Sequence, residues 1–303
     1  MDMKGHVGMT PNRDQFLVET SWLAEHLHDS DIRIVDLRGY VKIIPLDVAS
    51  GLQEAHYLGA HDEYEQAHIP GAVYVDWTSD IADPSSDVEA QVASPAQFAE
   101  VMGRLGISNQ HLVVAYDAHP ASQFATRLWW ALNYYGHTRV VVLNGGLQKW
   151  QSEGRPLENK LPTYPAATFT PVVRPELRAT AEDILAFLQQ HNVNIVDARD
   201  SGQYKGTIAR GEGRRGHIPG AINIPREVLI DPTNGTFRSN AEIQAIFDSA
   251  KVTPDQHVVA YCNGGVAATT ILFSLAMLGY PHLTNYDGSW NEWGIRQNLP
   301  VEV

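Results

Sequence analysis

A single cysteine in 303 residues excludes more than any other feature of this composition. A lone thiol forms no disulfide within the chain, so the fold must be held by its apolar cores and hydrogen bonds. It also provides no set of cysteine ligands for a structural zinc or an iron–sulfur cluster. Histidines such as His26, His28, His56 and His61 show no companion cysteine or acidic ligand set in the sequence, so neither a metal nor a cofactor is expected. Positive charge is scarce as well, with 22 Lys and Arg against 35 Asp and Glu and a formal charge of −13. Such a surface repels nucleic acid and anionic membranes, and neither is expected as a partner. No run approaches the ~18 apolar residues that a membrane-spanning helix needs. The opening MDMKGHVGMTPNRDQ has no apolar stretch after its lysine. It reads as a loose tail and not as a secretory signal, so the expected location is cytoplasmic.

What is present is ordinary for a globular protein: 44% hydrophobic and 19% charged residues, in a length that favours two cores over one. The halves repeat each other. IRIVDLR (32–38) returns as VNIVDAR (193–199), HIPGA (68–72) returns letter for letter at 217–221, and HLVVAY (111–116) returns as HVVAY (257–261). LNGGLQKW (143–150) is echoed by YDGSWNEW (286–293). Four matches in the same order make a tandem duplication. Between the halves lie Pro162, Pro165 and Pro171, spaced as in an extended connector. The domains are placed at 14–157 and 174–303, with 158–173 as linker.

Within each half, short β-branched runs alternate with helical patterns such as Ala181–Gln190, Ala241–Ala250 and Val266–Leu278. That alternation predicts an α/β fold, a mostly parallel sheet with helices on both faces, made twice. Ligands of such sheets sit beyond the carboxyl ends of the strands. The rule points to the residue after each VVAY strand: Asp117 in the first half and Cys262 in the second.

On composition alone, a lone cysteine reads as a small buried apolar residue. Its neighbours argue otherwise. Cys262 is followed by Asn263, Gly264, Gly265, Val266 and Ala267 and then by the apolar helix TILFSLAML. Two glycines remove Cβ obstruction and let successive backbone N–H groups converge. The helix N-terminus adds partial positive charge, so the loop stabilises negative charge at the sulfur without any charged side chain. The Cys-x5-Arg loop of cysteine-dependent phosphatases is a rival, but at the arginine's place, after five intervening residues, stands Ala268, which cannot clamp a phosphoryl group.

The VDxR and HIPGA blocks, the proline-rich connector and CNGGVAAT together resemble the two-domain rhodanese family of thiosulfate and mercaptopyruvate sulfurtransferases, over nearly the whole chain. The resemblance implies a catalytic C-terminal domain and an N-terminal domain that lacks the cysteine. It further implies that Cys262 carries sulfane sulfur as a persulfide, from a small anionic donor to a thiol or cyanide. Thiosulfate is the expected donor and mercaptopyruvate the alternative; a silent binding module of the same fold is a lesser one, since binding alone needs no nucleophile.

The loop fits neither familiar donor pattern. Thiosulfate users typically place Arg-Lys after the cysteine and mercaptopyruvate users Gly-Ser, whereas this chain has Asn263 and Gly264, with Ala267 for the usual threonine. The first arginine of the family motif upstream of the second HIPGA is Gln203 here, and the second aligns with Glu212. That region is still basic: Arg199, Lys205, Arg210, Arg214, Arg215 and Arg226 are opposed only by Asp200 and Glu212. Arg210 and Arg214, flanked by glycines, are the expected donor contacts. Arg38 and Arg199 recur in both halves and read as partners of the preceding Asp, and Trp150 and Trp293 as core aromatics. The oligomeric state is not indicated.

Overall fold

The duplication in sequence is a duplication in space. The computed structural model describes residues 13–303. The first half contains β1 (Leu17–Val18), α1 (Thr20–Glu25), β2 (Ile32–Asp36), β3 (Gly39–Asp47), β4 (Leu52–Gly59), α2 (His61–Gln66), β5 (Val73–Tyr74), α3 (Pro95–Arg104), β6 (Leu112–Tyr116), α4 (Gln123–Tyr134), β7 (Val140–Leu143) and α5 (Gly146–Ser152). The second contains β8 (Arg178–Ala179), α6 (Ala181–Phe187), β9 (Val193–Asp197), α7 (Ser201–Tyr204), β10 (Ala209–Arg210), β11 (Ile222–Asn223), α8 (Asn240–Ser249), β12 (His257–Tyr261), α9 (Ala268–Met277), β13 (Leu283–Tyr286) and α10 (Ser289–Trp293). Two five-stranded parallel sheets result, ordered β1-β7-β6-β2-β5 and β8-β13-β12-β9-β11. The order is the same in both, with the VVAY strand at the centre.

Period-two alternation along the central strands builds three layers of core. Val113 and Ala115 of β6 face the same cluster as Val258 and Ala260 of β12, so the inner faces of the two sheets share one core. Val114 and Tyr116 face the outer side of the first sheet, and Val259 and Tyr261 that of the second. α4 and α9 meet within the shared layer, where the Thr126 hydroxyl lies 2.9 Å from that of Thr269. A buried ion pair also joins the halves: Arg127 Nη1 of α4 is 2.7 Å from Asp287 Oδ1. Each VDxR block closes on itself, Asp36 with Arg38 and Asp197 with Arg199, and a strand tyrosine donates to each aspartate at 2.6 Å. Trp150 and Trp293 are fully buried.

Three features depart from the sequence reading. The long β3–β4 hairpin was not foreseen; Pro45 argues against a strand, but β3 is the edge of its sheet and its register shifts between Pro45 and Asp47, two circumstances in which a strand accepts proline. On its other side β4 pairs with β10 of the second half, so this arm crosses between domains. Residues 158–173 contain no helix and no strand beyond one bridge at Glu158, but they are strapped to the first domain through Ala167 N–H to Gly103 O and Val172 N–H to Tyr135 O, both 2.9 Å. Residues 1–12 of the expected tail lie outside the described residues, and residue 13 is not loose: its guanidinium donates to Phe237 O, Arg238 O and Asn240 Oδ1. Among the described residues no helix is long and apolar enough to cross a membrane.

Candidate active site

β12 alternates inward and outward up to Tyr261, and the next inward position is Cys262, 3% exposed. The backbone there is held by an unusual device. Cys262 N–H donates to Ser289 Oγ at 3.0 Å, Ser289 Oγ donates to Tyr286 O at 2.7 Å, and Trp290 N–H returns to Cys262 O at 3.0 Å. Ser289 takes a left-handed φ of 50° to do so, a strained conformation for a residue with a side chain. Gly265 has φ 70°, and a Cβ there would stand 2.6 Å from Asp287 O, so only glycine lets the loop turn here. Arg127 of the first domain donates to Gly265 O at 3.2 Å and fixes the turn from outside.

Between Asn263 and Ala268 no backbone N–H donates to any described residue. Six consecutive donors before and at the start of α9 are thus without a protein partner, and four of their residues, Asn263, Gly264, Val266 and Ala267, line the space above the cysteine. The equivalent loop of the first domain is built alike but filled by its own side chains. Asp117, in the place of Cys262, accepts from His119 N–H at 2.9 Å and from Phe124 and Ala125 N–H at 2.8 Å each. Burial pushes its carboxyl up to about 7, while the three amides pull the other way.

Above Cys262 lies a cavity of about 220 Å³ whose walls come from both domains. The cysteine loop contributes Asn263, Gly264, Val266 and Ala267; Gly265 turns away beneath it. Arg210 and Arg226 supply positive charge, and the hairpin brings Tyr57 and Val41 while α4 and the loop before it bring Gln123 and His119. Arg210 forms no side-chain hydrogen bond or ion pair among the described residues, and its Nε is buried without a partner. Burial lowers its basicity, and Tyr57, Asp200 and Cys262 act in the opposite direction. Arg226 reaches Glu227 at 2.9 Å. Burial raises the Tyr57 hydroxyl to about 12, and Asn291 donates to its oxygen at 3.1 Å. Burial and the charge of Arg226 lower His119 to about 3, so its imidazole is neutral.

Of the arginines expected at the donor, the structure brings Arg210 to the cavity and not Arg214. The Arg214 guanidinium donates to the carbonyls of Trp293, Gly294, Arg296 and Leu299 at 2.8–3.2 Å and ties the segment after α10 in place. Gln203, in the place of the family's arginine, accepts from Asn263 Nδ2 at 3.0 Å and donates to Asp200. Arg226 sat in the same basic stretch and could have been chosen from sequence. Tyr57, His119, Gln123 and Ser289 could not, because only the domain pairing and the loop register bring them to the cysteine. His61, Asp62 and Glu65 place ligand atoms within 4.8 Å of one another on α2, but all three are exposed on one helix turn, and nothing else there points to an ion.

The rhodanese-like domain model matches residues 19–153 and 180–296. The chain is 35% identical over 299 residues to the sulfur carrier protein TtuD of Thermus thermophilus, covering 95% of this chain and 96% of that one. It is 34% identical over 285 residues to the thiosulfate sulfurtransferase of Rattus norvegicus, covering 91% of each. Among solved structures it superposes on SseA from Escherichia coli, a 3-mercaptopyruvate sulfotransferase of the rhodanese fold, with a TM-score of 0.77 at 32% identity, covering 91% of this chain and 98% of that one. The chain belongs to the rhodanese-like family and is a tandem-domain sulfurtransferase.

Proposed function

We propose that this member of the rhodanese-like family moves sulfane sulfur from thiosulfate, through a persulfide on Cys262, to cyanide or a thiol. The observation that carries the reading is the unpaired amides of Asn263, Gly264, Val266 and Ala267 beside the chain's one thiol, below a cavity bearing Arg210, whose Nε is buried without a partner. In the first half-reaction the Cys262 thiolate attacks the outer sulfur of thiosulfate. The donor's S–S bond breaks, sulfite leaves with the electron pair, and a new S–S bond stands on Cys262. In the second, cyanide or a thiolate takes the terminal sulfur and the Cys262 thiolate is regenerated, a ping-pong cycle. The free amides suit the charge of the persulfide terminal sulfur in a place shielded from water. Arg210 and Arg226 suit the sulfonate of the donor.

Mercaptopyruvate is the second reading, favoured by the same cations, which would serve a carboxylate as well. Against it, no hydroxyl stands at Gly264, where the family's mercaptopyruvate pattern has serine. Steady-state release of sulfite from thiosulfate and of pyruvate from mercaptopyruvate, with cyanide as common acceptor, tests the choice. Sulfite release with the larger kcat/KM supports thiosulfate; pyruvate release larger by tenfold or more replaces it.

A further inference from the structure

We propose that Gln123 and His119, residues of the domain without the cysteine, form the neutral half of the donor site and hydrogen-bond the part of the donor that is left behind. The inference rests on the sulfurtransferase reading above and names what holds the donor's other end. Gln123 is 3% exposed, its side-chain amide bonds to nothing among the described residues, and it lines the cavity over Cys262. Its amide therefore meets the cavity and no protein group, where a ligand with hydrogen-bonding oxygens can complete it.

The register of the two helices shows where it stands. Thr126 of α4 touches Thr269 and Thr270 of α9 at 2.9 and 3.2 Å. One turn toward the N-terminus of each helix lie Gln123 and Val266, both lining the cavity. Ser122, in a left-handed conformation with φ 47° and no capping bond, sets the start of α4 that puts Gln123 there. Asp117 frees the side chain for this use, because its carboxylate already satisfies the Phe124 and Ala125 amides that a residue at the helix start would otherwise cap.

His119 is fixed as a donor. Its Nδ1 accepts the Ala121 N–H at 3.0 Å, so the proton of the neutral ring sits on Nε2, which has no partner among the described residues. Its neutrality comes from burial and from Arg226 nearby. A fixed N–H donor and an amide that can donate or accept, facing Arg210 and Arg226, match a group with several oxygens: a sulfonate, or a carboxylate beside a ketone.

The test uses the full chain in a Cys262→Ser background, titrated calorimetrically with sulfite and separately with pyruvate, the two leaving fragments. Gln123→Met, similar in size and apolar, is expected to weaken sulfite or pyruvate binding three- to tenfold, the range one neutral hydrogen bond spans. Gln123→Glu, nearly isosteric but anionic, is expected to weaken it more than tenfold, and His119→Phe about threefold. With Cys262 intact, the same factors are expected in KM for the preferred donor, with the cyanide half-reaction unchanged; this readout decides where fragments bind too weakly for calorimetry. Should Gln123→Met lower the melting temperature, Gln123→Glu decides. Binding and KM in both Gln123 variants within 1.5-fold of the parent would overturn the proposal while wild-type sulfur uptake stayed intact. Failure of the sulfurtransferase reading would look different, as wild-type protein would take up sulfur from neither donor.

Discussion

The loops after β6 and β12 are two versions of one anion cradle, and they differ in who supplies the anion. After β6 the chain supplies its own: Asp117 draws three backbone amides onto its carboxylate, and the His119 ring takes a fourth. After β12 the same turn ends in Cys262, a shorter side chain that accepts none of the loop amides, and those of Asn263 to Ala268 have no partner among the described residues. The loop after β6 is thus not an empty copy but a satisfied one. The satisfied copy also builds part of the open one's wall: Asp117 holds the segment from which His119 and Gln123 line the cavity and Arg127 reaches Gly265 O.

Breaking the satisfied loop should have the largest effect on stability. Asp117→Ala leaves two buried N–H groups and one part-buried without an acceptor and is expected to cost about 3 kcal/mol, read as a lower urea midpoint. It should also impair donor turnover, through the wall that it loosens. Gly265→Ala attacks the open loop at its turn. A left-handed backbone and a Cβ 2.6 Å from Asp287 O predict a cost of about 2 kcal/mol and a fall in sulfur transfer of tenfold or more. The equivalent position in the satisfied loop is Pro120, which takes no part in holding an anion.

A graded effect concerns pH, because only the satisfied loop carries titratable groups besides the thiol. His119 is lowered to about 3 in the folded protein, so the unfolded chain binds this proton first as pH falls below about 6.5. Stability is therefore lost on this account from pH 6.5 downward, with a slope of at most one proton, about 1.4 kcal/mol per pH unit. In His119→Gln that contribution is absent. The difference between its urea midpoint and that of the wild type should move in the variant's favour from pH 6.5 to 4.5 and stay constant above pH 7.5.

The duplicated frame was readable from four paired motifs, because strand cores and HIPGA turns obey local rules that survive in both halves. Cys262 and its glycines were readable for the same reason: strand, nucleophile, turn and helix are consecutive in sequence. What was not readable depends on contacts between the halves. Tyr57 reaches the cavity on a hairpin that Pro45 disguises, and Gln123 reads as the first residue of an ordinary helix until α4 is set against α9. Arg214 illustrates the converse: flanking glycines suggested reach toward the donor, but four carbonyls around α10 offered its guanidinium a closer destination.

On the proposed function the open cradle, not the satisfied one, carries sulfur. Intact-mass measurement after incubation with thiosulfate and removal of excess donor tests it directly. The expected result is a gain of one sulfur on the wild type, lost on addition of cyanide, and no gain on Cys262→Ser. Sulfur transfer that persists in Cys262→Ser, or a wild type that gains no sulfur from thiosulfate or mercaptopyruvate, would contradict it.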